Sequence, residues 1–158
     1  MNTPLIRKAR PEDAPRILEL IKELAEYEKA PQEVTNTVDM ILEDGFGEDP
    51  AFTCGLAEYD GQIAGLYLWY TRYSTWKGKG VYLEDIIVSE AFRGKGLGRA
   101  LLNACIADAQ ACNAAFITWQ VLDWNTPAIE FYKSFGASFD ETWINVKLNR
   151  EQIASYTF

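Results

Sequence analysis

Apolar positions change their period several times along the chain, and each change marks an element. Residues 5–10, LIRKAR, read as a short first strand. In PEDAPRILELIKELAEYEK (11–29), Ile17, Leu18, Ile21, Leu24 and Ala25 recur at the spacing that places them on one helix face. TVDMILEDGF (37–46) predicts a shorter helix stopped by Gly45. AFTCGLAEY and QIAGLYLWYTR flank Asp60-Gly61, a pair suited to a two-residue hairpin because both positions tolerate positive φ. STWKGKG (74–80) predicts a loop and VYLEDIIV (81–88) a strand. Leu97, Leu101, Cys105 and Ala109 restore the helical period, to residue 112. AFITWQV (115–121) predicts another strand. NTPAIEFYKSFG (125–136) predicts a helix with Asn125 as N-cap, Pro127 in its first turn and Gly136 at its end. TWINVKL (142–148) predicts a closing strand.

The order β-α-α-β-β-β-α-β-α-β predicts a mixed sheet with helices packed on it, an α/β or α+β architecture. No repeat, low-complexity tract or Pro/Ser-rich linker divides the 158 residues, so one domain, 1–158, is expected. No apolar stretch nears the ~20 residues that span a bilayer. The first fifteen residues lack the apolar core of a signal peptide. A cytoplasmic protein without a membrane partner is the expectation. The three cysteines, Cys54, Cys105 and Cys112, have no metal-binding spacing and read as buried reduced thiols. Cys105 and Cys112, seven apart, are expected to face the core together. Most of the five tryptophans are expected to serve core packing.

The absence of histidine excludes a Ser-His-Asp triad, a Cys-His pair and a histidine zinc site, and no metal is expected. Acid–base work falls to Asp, Glu, Tyr, Lys or Cys. A net charge of −8 argues against a nucleic-acid partner and favours cationic ones. Glu84 and Asp85 interrupt an apolar strand. As strand neighbours they are expected on opposite faces, so the core cannot hide both. A buried carboxylate without a partner is costly, which makes at least one of them a site candidate. A strand edge where both are solvated explains them equally well.

FRGKGLGRALL (92–102) places Gly94, Gly96 and Gly98 between a strand and a helix. It fits neither the Walker A pattern, which needs Ser or Thr after GK, nor GxGxxG. Bare amides at a helix N-terminus can nevertheless enclose a phosphate or pyrophosphate, with Arg93, Lys95 and Arg99 adding positive charge. A basic flexible turn is the plainer alternative.

Residues 93–98, RGKGLG, resemble the R/Q-x-x-G-x-G/A signature of the GNAT superfamily of N-acetyltransferases. IKELAEYEK, EDGFGEDP, YSTWKGK, YLEDIIV, VLDWN and EFYKSFGA extend the resemblance over most of the chain, towards the spermidine/spermine N1-acetyltransferase subfamily. YSTWKG and VLDWN are similar to its thialysine N-acetyltransferase branch. The resemblance implies the GNAT fold, a mixed, mostly antiparallel sheet with helices on both faces. It implies acetyl-CoA as co-substrate, direct transfer to a primary amine of a small cation (thialysine, diamine or polyamine), and a homodimer. A protein or peptide N-acetyltransferase and a non-catalytic acyl-CoA-binding module are the alternatives.

By the same resemblance Glu84 is the general base and Tyr132 protonates the coenzyme A thiolate. Ile86, Ile87, Val88, the loop Arg93, Gly94, Lys95, Gly96, Leu97, Gly98 and Arg99, and then Asn125 and Lys133, meet the cofactor. Tyr27, Glu28, Glu33, Trp76, Asp85, Glu141 and Trp143 meet the amine, which suits charge pairing and cation–π contact. Two departures bear on the substrate. Ser74 stands where polyamine-specific members carry an acid, and the chain is about three residues shorter between Gly136 and Trp143 in that alignment.

Overall fold

The computed structural model describes residues 3–157. The chain divides into two compact units, one running to Gln120 and one from Val121 onward. The first unit holds β1 (Leu5–Lys8), α1 (Ala14–Tyr27), α2 (Val38–Phe46), β2 (Thr53–Tyr59), β3 (Gln62–Ser74), β4 (Gly78–Val88), α3 (Leu97–Ala111) and β5 (Ile117–Thr118). The strands lie in the order β1-β2-β3-β4-β5. All neighbours are antiparallel except β4 and β5, which are parallel.

Each face of this sheet has its own helices. Ala14, Ile17 and Leu20 of α1 and Ile41 of α2 pack with Cys54, Leu56, Leu66, Leu68 and Ile87 from the strands. On the opposite face α3 buries Leu97, Leu101, Leu102 and Cys105. Asp108 fastens α3 to the sheet by accepting from Lys8 Nζ, from the Tyr67 hydroxyl at 2.8 Å and from the Trp69 indole N–H at 2.9 Å. Arg7 clamps the start of α1 to β1 through two bonds to Asp13, at 2.7 and 3.0 Å.

Several boundaries differ from the sequence expectation. The first helical stretch opens with a 3-10 turn, Pro11–Asp13, before α1. Helix α2 runs through Gly45 to Phe46; a Cβ at Gly45 would sit 2.2 Å from the Phe52 ring, so that glycine serves packing. The Asp60-Gly61 turn forms as expected, with φ of 52° and 73°. The 74–80 loop shrinks to a turn, because β4 already begins at Gly78. The strand expected at 115–121 is paired only at Ile117–Thr118. Cys54 and Cys105 are buried, but Cys112 caps the end of α3 and is exposed. No tryptophan joins the buried core, and Trp76, Trp124 and Trp143 are exposed: these rings serve surfaces.

The second unit contains α4 (Thr126–Lys133) and α5 (Arg150–Ala154). Asn125 caps α4 by accepting from Ala128 N at 3.4 Å, and Gly136 closes it at φ 77°. The strand expected at 142–148 is not formed. Trp143, Ile144, Val146 and Leu148 are all exposed, and no strand pairs with them among the described residues. A β-alternating run becomes a strand only when a neighbour takes up its hydrogen bonds.

Gly65 marks a close approach to backbone on the α3 side of the sheet. A Cβ there would lie 2.4 Å from the Ile87 carbonyl oxygen and 3.1 Å from Leu101 Cδ1. Backbone cannot yield as a side-chain tip can, so Gly65→Ala is expected to destabilise the protein by about 1–3 kcal/mol, read as a lower urea midpoint. An unchanged midpoint would contradict this packing.

Candidate active site

Strand β4 contains one residue more than its partner can match. Leu68 lies opposite Asp85 and Trp69 opposite Leu83, so Glu84 is the extra residue of a β-bulge. Trp69 points to α3, where it meets Asp108. Leu68 therefore points the other way, into the α1/α2 core, and Asp85 shares its face. Glu84 reaches that same face, because its Oε2 accepts from the Tyr70 hydroxyl at 2.9 Å. Tyr70 in turn stacks on Tyr82, with centroids 5.2 Å apart and planes at 24°. The expectation that Glu84 and Asp85 face opposite sides is thus corrected. Simple alternation fails where a bulge inserts a residue, and the two carboxylates lie together.

Their electrostatics follow from this crowding. Burial, reinforced by the charges of Glu84 and Glu28, pushes the Asp85 carboxyl up to about 7. Partial burial also raises Glu28, which caps the end of α1. Burial and then the bond to Glu84 push the Tyr70 hydroxyl up to about 12. The result is a group of three carboxylates with two stacked phenol rings, an environment that gains from an added cation. Glu28, Glu84 and Asp85, three of the residues expected from the sequence, come together in this candidate site, and Tyr70 and Tyr82 join them without having been expected. The signal for Tyr70 is its neighbourhood: two strand positions on from Leu68, it shares the carboxylates' face.

The second neighbour of β4 ends beside the bulge. Strand β5 accompanies β4 only at Val81↔Ile117 and Tyr82↔Thr118. Beyond Tyr82, residues 83–88 keep β3 on one side and have no paired strand on the other among the described residues. The backbone of Ile86, Ile87 and Val88 thereby presents an open edge that an extended amide-bearing ligand can line.

That edge leads into the glycine loop. Gly94 and Gly96 adopt φ of 75° and 80°, a region that favours glycine, and Gly96 caps α3. The amides of Gly94, Lys95, Gly96, Leu97 and Gly98 make no hydrogen bond among the described residues. A Cβ at Gly94 or Gly96 meets nothing within 4 Å. Free amides at the N-terminus of a fifteen-residue helix, with open space before them, suit a pyrophosphate. The loop cations have other contacts. Arg93 lies over the Tyr27 ring at 5.0 Å, its Nε bonded to the Val88 carbonyl at 3.1 Å. Lys95 lies over Tyr59 at 4.8 Å and Phe92 at 5.3 Å. Arg99 is exposed on the first turn of α3.

The remaining candidates sit as follows. Glu33 is exposed in a 3-10 turn (Pro31–Glu33), outside the charges that act on Asp85. Trp76 is exposed in the β3–β4 turn, where Ser74 Oγ accepts from the amides of Trp76 and Lys77, both at 3.2 Å. In the second unit Tyr132 is buried on α4, and Lys133 pairs with Glu130 at 2.8 Å. Glu141 and Trp143 are exposed there.

The model of the acetyltransferase (GNAT) family matches residues 14–137, and the chain belongs to that family. It is 40% identical over 141 residues to a thialysine N-epsilon-acetyltransferase of Bos taurus, covering 84% of this chain and 83% of that one. It is 38% identical over 160 residues to the spermidine/spermine N(1)-acetyltransferase-like protein 1 of Homo sapiens, covering 94% of this chain and 23% of that longer protein. A solved aminoglycoside N-acetyltransferase in complex with CoA shares the fold, with a TM-score of 0.75 at 19% identity over 94% of this chain and 96% of that one. The chain is an N-acetyltransferase, of a family whose acetyl donor is acetyl-CoA. The free loop amides and the open β4 edge fit that donor.

Asp85 has a testable pH signature. Its carboxyl holds a proton to about 7 in the folded chain against an ordinary 3.8, so the folded state binds more protons between those values. Stability due to Asp85 therefore falls as pH rises through this window. Asp85→Asn is expected to raise Tm, with the gain growing between pH 5 and pH 8. A gain that does not vary with pH would contradict the assignment.

Proposed function

We propose that the chain transfers the acetyl group of acetyl-CoA directly to a primary amine of a small cationic substrate, such as thialysine, a diamine or a polyamine. The observation that carries this reading is the gathering of Glu84, Asp85 and Glu28 beside the Tyr70–Tyr82 stack. A primary amine of pKa ~10.4 is free in about one molecule in a thousand at pH 7, so a site must both attract the ammonium and remove its proton. Asp85 and Glu28 supply the attraction. Glu84, exposed at the bulge, is the base. The amine nitrogen then bonds to the thioester carbonyl carbon, the C–S bond breaks, and the departing thiolate takes a proton from the Tyr132 hydroxyl.

The roles of Tyr132, Asn125, Lys133, Glu33, Trp76, Glu141 and Trp143 rest on the motifs they belong to. Direct transfer is favoured by the state of the two buried thiols: burial pushes Cys54 and Cys105 up to about 12, which suppresses the thiolate that an acetyl-enzyme on either would need. A homodimer belongs to the same reading, because the exposed apolar run 142–148 has strand alternation and gains by pairing with a second copy. The free cysteines suit a cytoplasmic location.

Thiol release from acetyl-CoA tests the activity. Ser74 offers a neutral hydroxyl, where an acid would hold a distal ammonium. The wild type is therefore expected to show higher kcat/KM for thialysine than for spermine, and Ser74→Asp to shift the ratio towards spermine by roughly 1.4-fold to fivefold, as a part-exposed ion pair of ~0.2–1 kcal/mol allows. A wild type preferring spermine, or release with no amine tested, would contradict the reading.

A further inference from the structure

Further along the β3–β4 face that carries the carboxylates lies a group that acetyl transfer to a plain amine leaves unused. Arg72 lies opposite Gly80, exposed, with its guanidinium carbon 5.7 Å from the centre of the Tyr82 ring. Tyr82 stacks on Tyr70, and the Tyr70 hydroxyl donates to Glu84. A continuous strip thus runs from a guanidinium, across two aromatic rings, to the carboxylates of Glu84, Asp85 and Glu28. Gly80 and Glu84 are four positions apart, or about 13 Å at ~3.3 Å per residue. Arg72 has no ion pair among the described residues, in a chain where acids outnumber bases 23 to 15.

Opposite charges at the two ends of an aromatic strip define a complementary ligand. A polyamine would set a second ammonium against Arg72, which repels it. A molecule with an amine at one end and a carboxylate at the other satisfies both ends, with its methylenes on the rings. Stacking uses the face of a guanidinium and leaves its N–H edges free, and that planar fork matches a carboxylate.

We propose that Arg72 is a specificity-determining residue: it receives the carboxylate of an amino acid whose side-chain amine is acetylated beside Glu84 and Asp85. This rests on the amine-acetyltransferase reading above.

The test compares ligands that share one amine end. Thialysine and its decarboxylated diamine, and lysine and cadaverine, are assayed by thiol release with wild type, Arg72→Gln and Arg72→Lys. Binding to the acetyl-CoA-free enzyme is followed by calorimetry. Wild type is expected to favour each carboxylated member. Arg72→Gln should lower kcat/KM for thialysine about tenfold, chiefly through KM, as loss of a hydrogen bond to a charged group allows. The decarboxylated diamine should be unaffected or improved, and Arg72→Lys should restore part of the discrimination. Equal effects on both members, or no effect on either, would overturn the role of Arg72 while acetyl transfer stands, and leave Arg72 as a solvated side chain on a tyrosine. Wild type that neither binds nor acetylates any of the four would overturn both readings.

Discussion

A single inserted residue organises this molecule. Because Glu84 has no counterpart on β3, the pleat shifts by one, and Glu84 and Asp85 emerge on the same face. An unbroken strand would have sent one of them towards α3, where the neighbouring positions are apolar or held by Asp108. Instead both meet the end of α1, and the repulsion among Glu84, Asp85 and Glu28 is held in place by the core beneath them. The cluster holds an unfavourable interaction that an added cation would relieve. Local stability given up in this way is a recurring arrangement at functional sites.

The bulge also lies where β4 and β5 part. Pairing stops at Tyr82, so the open edge of β4 begins beside the carboxylates and ends at the glycine loop. An acyl donor lining that edge would carry its thioester to the carboxylates while its pyrophosphate reaches the helix N-terminus. Ser89 strengthens this geometry at the far end of the strand. Its amide bonds to the Ala64 carbonyl at 2.8 Å, and its hydroxyl donates to Glu23 and accepts from Arg16 at 2.9 Å, so the loop starts from an anchored point. Arg93 adds a second tie through Tyr27. With Arg93 and Lys95 held over aromatic rings, the loop amides face open space.

Much of this was legible in the chain because it depends on local rules. The Asp60-Gly61 turn, the Asn125 cap and the amphipathic α1 each rest on a few adjacent residues and formed as expected. The glycine loop and the acidic pair were found from composition and spacing, and family membership is shown by the match over residues 14–137. What escaped depends on partners distant in sequence. The bulge is a property of the β3–β4 register, which no single strand announces. Tyr70 and Tyr82 are not among the residues expected at the site, and only the β3–β4 register shows that they share the carboxylates' face. The 142–148 run has a strand's alternation but no neighbour to complete it. Cys112 kept the helical period but lay one residue beyond the helix.

Amide hydrogen exchange on acetyl-CoA binding tests the central claim most directly, since it reads the backbone groups that the bulge and the loop leave free. At saturating acetyl-CoA, confirmed by calorimetry, protection is expected at residues 86–88 and 94–98 together, with α2 and the β1–β2 pairing unchanged. Saturation without protection in either segment, or protection confined to other elements, would contradict the account.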